Sequence, residues 1–119
     1  MIVDDSNMIR SRIARIVGDG SLPGWAIIGM ARSGIEAIRL AETLEPDVVT
    51  MDLTMPGMDG VECIPRLLRN CPDCAILVVS ALNDRTTVFQ SIHMGARGFL
   101  HKPFTDSELK NALLELVTV

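Results

Sequence analysis

A chain of 119 residues, 48% of them apolar and 22% charged, is long enough for one domain with a real core and too short for two. Its formal charge of −4 lacks the basic face that grips a phosphate backbone, and no apolar run approaches the ~18 residues of a membrane span, which argues against direct nucleic-acid binding and against a membrane role. Three cysteines, an odd number, in a chain with an aliphatic core point to a reducing, cytoplasmic setting.

The chain opens on a short apolar strand, Ile2-Val3, cut off at once by Asp4-Asp5, a pattern unlike a signal peptide. Ile9, Ile13, Ile16 and Val17 then recur at helical spacing. Trp25 to Ala31 reads as a second strand. Ser33 with Glu36 has capping-box spacing and opens a helix striped by Ile35, Ile38, Ala41 and Leu44. Asp47 to Leu53 is the third strand. Asp59 with Glu62 is an acidic analogue of the box, ahead of a stripe at Val61, Ile64, Leu67 and Leu68, within which Pro65 predicts a kink or a later start. Cys71-Pro72-Asp73-Cys74 has the spacing of a zinc or redox half-site, but with no second pair it reads better as two loop thiols beside a turn. Ala75 to Ala81 is the fourth strand, Thr86 to Ala96 a weaker helix with β-branched residues at its start, and Gly98 to Lys102 the fifth strand. A capping box at Thr105 and Glu108 starts the last helix, striped by Leu109, Ala112, Leu113, Leu116 and Val117.

Runs such as Ile76-Leu77-Val78-Val79, apolar on successive residues, are expected where both faces of a sheet are covered, hence in a parallel sheet. Five strand–helix units joined by right-handed crossovers give an α/β fold, a five-stranded parallel sheet in a doubly wound (βα)5 three-layer sandwich. Such sheets bind ligands beyond the carboxyl ends of their strands. Those ends carry Asp4-Asp5, Asp52, Ser80-Ala81 and Lys102-Pro103, so three carboxylates, a hydroxyl and an ammonium are expected to converge. Three crowded carboxylates repel unless a cation intervenes, and an all-oxygen set suits Mg²⁺. A carboxylate can then serve as nucleophile towards a phosphoryl group, assisted by the lysine and the hydroxyl.

The stretches Ile2-Val3-Asp4-Asp5-Ser6, Met51-Asp52-Leu53-Thr54-Met55-Pro56-Gly57-Met58-Asp59-Gly60, Val79-Ser80-Ala81 and Gly95-Ala96-Arg97-Gly98-Phe99-Leu100-His101-Lys102-Pro103-Phe104 together resemble the receiver domain of two-component response regulators, the CheY-like fold, over essentially the whole chain. The resemblance implies a flavodoxin-like architecture and a single receiver domain over residues 1–119. It implies that Asp52 is the phosphoacceptor and that Mg²⁺ is held by Asp5 directly, by Asp4 mostly through water, by Asp52 and by the Thr54 carbonyl. Ser80 and Lys102 would bind the phosphoryl group, Phe99 would be the switch aromatic, and Lys102-Pro103 would be a cis peptide bond. Thr54 and Leu82 would flank the water that ends the signal. Val88, Ile92, Phe99 and His101 would form the output face. The donor would be a phosphohistidine on a sensor histidine kinase, neither His93 nor His101 being that donor. The recipient would be a downstream output protein, or a DNA-binding or enzymatic effector domain of a longer regulator, and the resemblance also admits a phosphorylation-dependent dimer. A small Mg²⁺-dependent hydrolase of the haloacid-dehalogenase type also uses an aspartyl nucleophile, but there a second aspartate follows two residues later, where this chain has Thr54.

Overall fold

The computed structural model describes residues 1–82 and 84–118. Among the described residues, five strands, β1 (Ile2–Val3), β2 (Met30–Ala31), β3 (Val48–Met51), β4 (Ala75–Ser80) and β5 (Gly98–His101), alternate with five helices, α1 (Asn7–Val17), α2 (Gly34–Leu44), α3 (Gly60–Asn70), α4 (Arg85–His93) and α5 (Asp106–Val117). All strand pairs are parallel and the order across the sheet is β2-β1-β3-β4-β5. The sequence order reverses between β1 and β3, the position at which open α/β sheets form their ligand crevice.

Period-two alternation sorts β4 between two cores. Ile76 and Val78 join Val3, Val49, Met51, Ile64 and Leu67 beneath α2 and α3. Ala75, Leu77 and Val79 join Ile2, Ile13, Ile16, Leu109 and Leu113 beneath α1 and α5. Every β4 residue is buried, which is why the strand reads as an unbroken apolar run. Each such aliphatic side chain contributes roughly 1.5–3 kcal/mol on burial.

The helices start where capping chemistry predicts. Ser33, Asp59 and Thr105 side chains accept from the backbone N–H groups of Glu36, Glu62 and Glu108, and Thr105/Glu108 closes a full capping box. Three of the boundaries that differ from expectation have an identifiable cause. The second strand is confined to Met30–Ala31 rather than Trp25–Ala31, because its neighbour β1 offers only two residues to pair with. Helix α3 starts at Gly60 and runs through Pro65, so the proline does not delay the start: the Asp59 cap, accepting from Glu62 at 2.8 Å, sets the first turn. Helix α4 stops at His93, short of Ala96, because Gly95 adopts φ +122°, in the left-handed region, and a Cβ there would lie 2.4 Å from Leu68 Cδ1. Helix α4 buries only Ser91, whereas α1 and α3 bury four residues each.

Candidate functional site

Strands β3, β4 and β5 stop one or two residues short of the runs read from the sequence, and the polar residues lie at the strand ends or in the loops just beyond. Asp4 follows β1, Asp52 follows β3, Ser80 ends β4 and Lys102 follows β5. Backbone bonds tie these ends side by side: the Asp52 N–H donates to the Val3 carbonyl at 2.9 Å, and the Lys102 N–H to the Ser80 carbonyl at 2.9 Å. The Lys102–Pro103 peptide is cis, as expected.

Asp4, Asp5 and Asp52 each offer a carboxylate oxygen within 4.8 Å of the others, an arrangement able to hold a metal ion. Asp4 is buried and fully engaged. Its Oδ1 accepts from the Ser6 N–H at 2.9 Å and its Oδ2 meets the Lys102 ammonium at 2.8 Å. Asp5 is exposed. Asp52 is 4% exposed; its Oδ1 accepts from the Thr54 N–H at 3.3 Å and lies 3.7 Å from Lys102 Nζ. Burial, reinforced by the Asp4 charge, pushes the Asp52 carboxyl up to about 6, while Lys102 and the Thr54 N–H pull in the opposite direction. One lysine therefore does not neutralise the three carboxylates.

Ser80 is fully buried, and its Oγ accepts from the Leu82 N–H at 3.1 Å. Thr54 and Leu82, far apart in sequence, line one cleft of about 380 Å³ together with Leu53, Asp59, Thr87 and Gln90. A second cavity, of about 360 Å³, lies at the opposite edge of the sheet between Trp25, Val48 and Leu113 and shares no residue with the acidic site.

Phe99 is half-buried against the core under α2 and α3, and its ring centroid stands 4.9 Å from that of His101. Val88 is half-buried and Ile92 is 44% exposed, so neither is a core residue. Phe89, on the same helix, is 72% exposed and was not singled out from the sequence, where an aromatic inside a weak helical pattern is indistinguishable from a core residue. Also missed was Arg10, buried beneath the Asp4-Asp5 turn; a cation one turn into the helix that follows two aspartates is the available signal. Cys71 and Cys74 are buried free thiols. The Cys71 thiol meets the Pro46 carbonyl at 3.3 Å, and burial pushes Cys74 up to about 12, which disfavours the thiolate that zinc requires.

A sequence model described as the response regulator receiver domain matches residues 1–114. The chain belongs to the response regulator receiver family. The receiver is 36% identical to the chemotaxis protein CheY of Thermotoga maritima over 113 residues, covering 95% of this chain and 92% of that protein. It is 33% identical to the response regulator GacA of Pseudomonas aeruginosa, covering 98% of this chain but 53% of that longer protein. Among solved structures, the CheX–CheY–BeF3–Mg²⁺ complex of Borrelia burgdorferi matches the receiver with a TM-score of 0.91 and 28% identity, over 99% of this chain and 87% of that one. Receiver domains are regulatory switches of two-component systems, and the five-stranded parallel sandwich is their flavodoxin-like fold. Among the described residues, no helix is long and apolar enough to cross a membrane.

Proposed function

We propose that residues 1–119 form a single cytoplasmic receiver domain that accepts a phosphoryl group on Asp52 from a sensor histidine kinase, with Mg²⁺, and passes the change to an output protein or effector domain. One observation carries this reading: Asp52 lies buried at the point where the sheet order reverses, within 4.8 Å of two further carboxylates and 3.7 Å from an ammonium. Asp5, Asp52 and the Thr54 carbonyl would hold the metal directly, and Asp4, whose two oxygens are already engaged, would do so through water. Bound Mg²⁺ supplies charge neutralisation for the incoming anion. An Asp52 oxygen attacks phosphorus, the phosphorus–nitrogen bond of the donor phosphohistidine breaks, and its imidazole leaves. The Lys102 ammonium turns from the carboxylates to a phosphoryl oxygen, and the Ser80 hydroxyl donates to another. Withdrawal of Ser80 from the Leu82 N–H frees that loop, and Phe99 moves inward behind it, altering a face formed by Val88, Ile92, Phe99 and His101. This domain would catalyse only its own phosphorylation and dephosphorylation.

The test is labelling with acetyl phosphate or phosphoramidate. Acid-labile phosphate should appear on the peptide containing Asp52 with Mg²⁺ present and fall to background with chelator. Metal-independent labelling, or label on another residue, contradicts the reading.

The Thr54–Leu82 cleft bears on how long the signal lasts. Hydrolysis needs a water in line with the Asp52–phosphorus bond, and neither flanking side chain can hold it as a carboxylate or amide would. Leu82, 41% exposed, presents an apolar wall to the cleft. Leu82→Gln is expected to speed autodephosphorylation by about 3–10-fold, or ~0.7–1.4 kcal/mol of barrier. Phosphate release after donor removal, at saturating Mg²⁺, measures this; equal rates mean that Leu82 does not guard the phosphoryl group.

A further inference from the structure

Arg10 is 8% exposed, unusual for a guanidinium on the second turn of a helix. Among the described residues its donors meet no carboxylate. Nη1 donates to the Asp4 main-chain carbonyl at 2.6 Å, and Nη2 donates to the Asn7 side-chain oxygen. A buried cation is thus directed at one peptide group, the one that joins Asp4 to Asp5. That group is planar, so fixing its oxygen also fixes the N–H and Cα of Asp5. On its other side the turn is tied by the Ser6 N–H to Asp4 Oδ1, and Ser6 caps the helix that carries Arg10. Asp4 has its own partners to orient it. Asp5 is exposed, and no hydrogen bond holds its carboxylate among the described residues, so its direction comes from its backbone.

We infer that Arg10 is a positioning residue that locks the Asp4–Asp5 peptide and thereby aims the Asp5 carboxylate at the metal site. The inference rests on the metal-binding reading above. It opposes a purely electrostatic role, because a cation beside a cation site weakens metal binding, so loss of its charge alone should tighten it. Lysine keeps the charge but lacks the planar fork that spans both oxygens.

The experiment is calorimetric Mg²⁺ titration of wild type, Arg10→Lys and Arg10→Met, well below their unfolding midpoints, together with Asp5→Asn alone and combined with Arg10→Lys. Both Arg10 variants should bind Mg²⁺ about 10-fold more weakly, the usual effect of losing an outer-shell partner. In the Asp5→Asn background the Arg10→Lys loss should largely vanish, because the two residues act as a unit. Unchanged affinity in Arg10→Lys, tighter binding in Arg10→Met, or additive losses each overturn the inference. If Arg10→Met fails to fold, the lysine variant and its double mutant decide. A wild type that binds no Mg²⁺ removes the metal reading itself, and the inference with it.

Discussion

Asp52→Asn is expected to abolish labelling by small phosphodonors while making the metal-free fold more stable at neutral pH. The amide has no charged oxygen to attack phosphorus, so labelling should fall to background. Stability moves the other way because the native carboxyl titrates near 6, above the ordinary value of 3.8. The folded state holds this proton more tightly than the unfolded one, so its favourable contribution is present at low pH and is lost as pH rises from about 4 to about 6. Above that window the buried charge costs about 2–3 kcal/mol, which asparagine escapes. Urea denaturation at pH 5 and pH 7.5 should show the gap between variant and wild type widening with pH. Added Mg²⁺ should narrow it at pH 7.5 by stabilising the wild type more. A wild type that matches the variant at pH 7.5 without divalent cation contradicts the account of the site as uncompensated negative charge.

Gly60→Ala should be among the most damaging single-methyl additions to this chain. A Cβ at Gly60 would lie 2.4 Å from the Asp52 carbonyl oxygen and 2.7 Å from Leu53 Cα. Both are backbone atoms, so no side-chain rotation relieves the contact. The Gly60 N–H also donates to the Leu53 carbonyl at 3.0 Å, which pins the start of α3 to the loop that follows β3. Separating them should cost about 3 kcal/mol, the upper end of overpacking penalties. Gly57→Ala is the control. Its φ of +83° is unfavourable for alanine, but nothing lies within 4 Å, so the cost should be about 1–2 kcal/mol. The Gly60 variant should also label more slowly, because the displaced carbonyl is that of Asp52 itself. Denaturation midpoints and labelling rates check both points; equal midpoints for the two glycine variants refute the steric reading.

The features legible in the sequence are those whose physics is local or strictly periodic. Helix starts at Ser33, Asp59 and Thr105 follow from side chains that reach three residues along the chain. The apolar run of β4 records burial on both faces. Asp4, Asp5, Asp52, Ser80 and Lys102 were locatable because parallel topology brings all strand ends to one edge. What escaped depends on distant partners. The extent of β2 is set by how much of β1 lies beside it, which the run Trp25 to Ala31 does not encode. The burial of Arg10 goes with a bond to a carbonyl six residues away, just past the end of β1, which helical periodicity does not encode. The exposure of Phe89 depends on which face of α4 the sheet leaves uncovered.

Helix α4 buries one small polar residue, Ser91, and yet its Thr87 and Gln90 form a wall of the cleft that holds Thr54 and Leu82. Local unfolding free energy follows buried apolar contact, so the amides of α4 are expected to open to exchange far below the global unfolding free energy, while those of β4 should set the ceiling. A full swing from 1:99 to 99:1 between two states takes roughly 5.5 kcal/mol. On the proposed function, a segment held by so little side-chain burial would be shifted by the rearrangement of one hydroxyl and one ammonium without melting the frame. In exchange terms, this receiver is expected to behave as a protected sheet with one lightly protected helix, whose Thr87 and Gln90 share a cleft with Thr54 and Leu82.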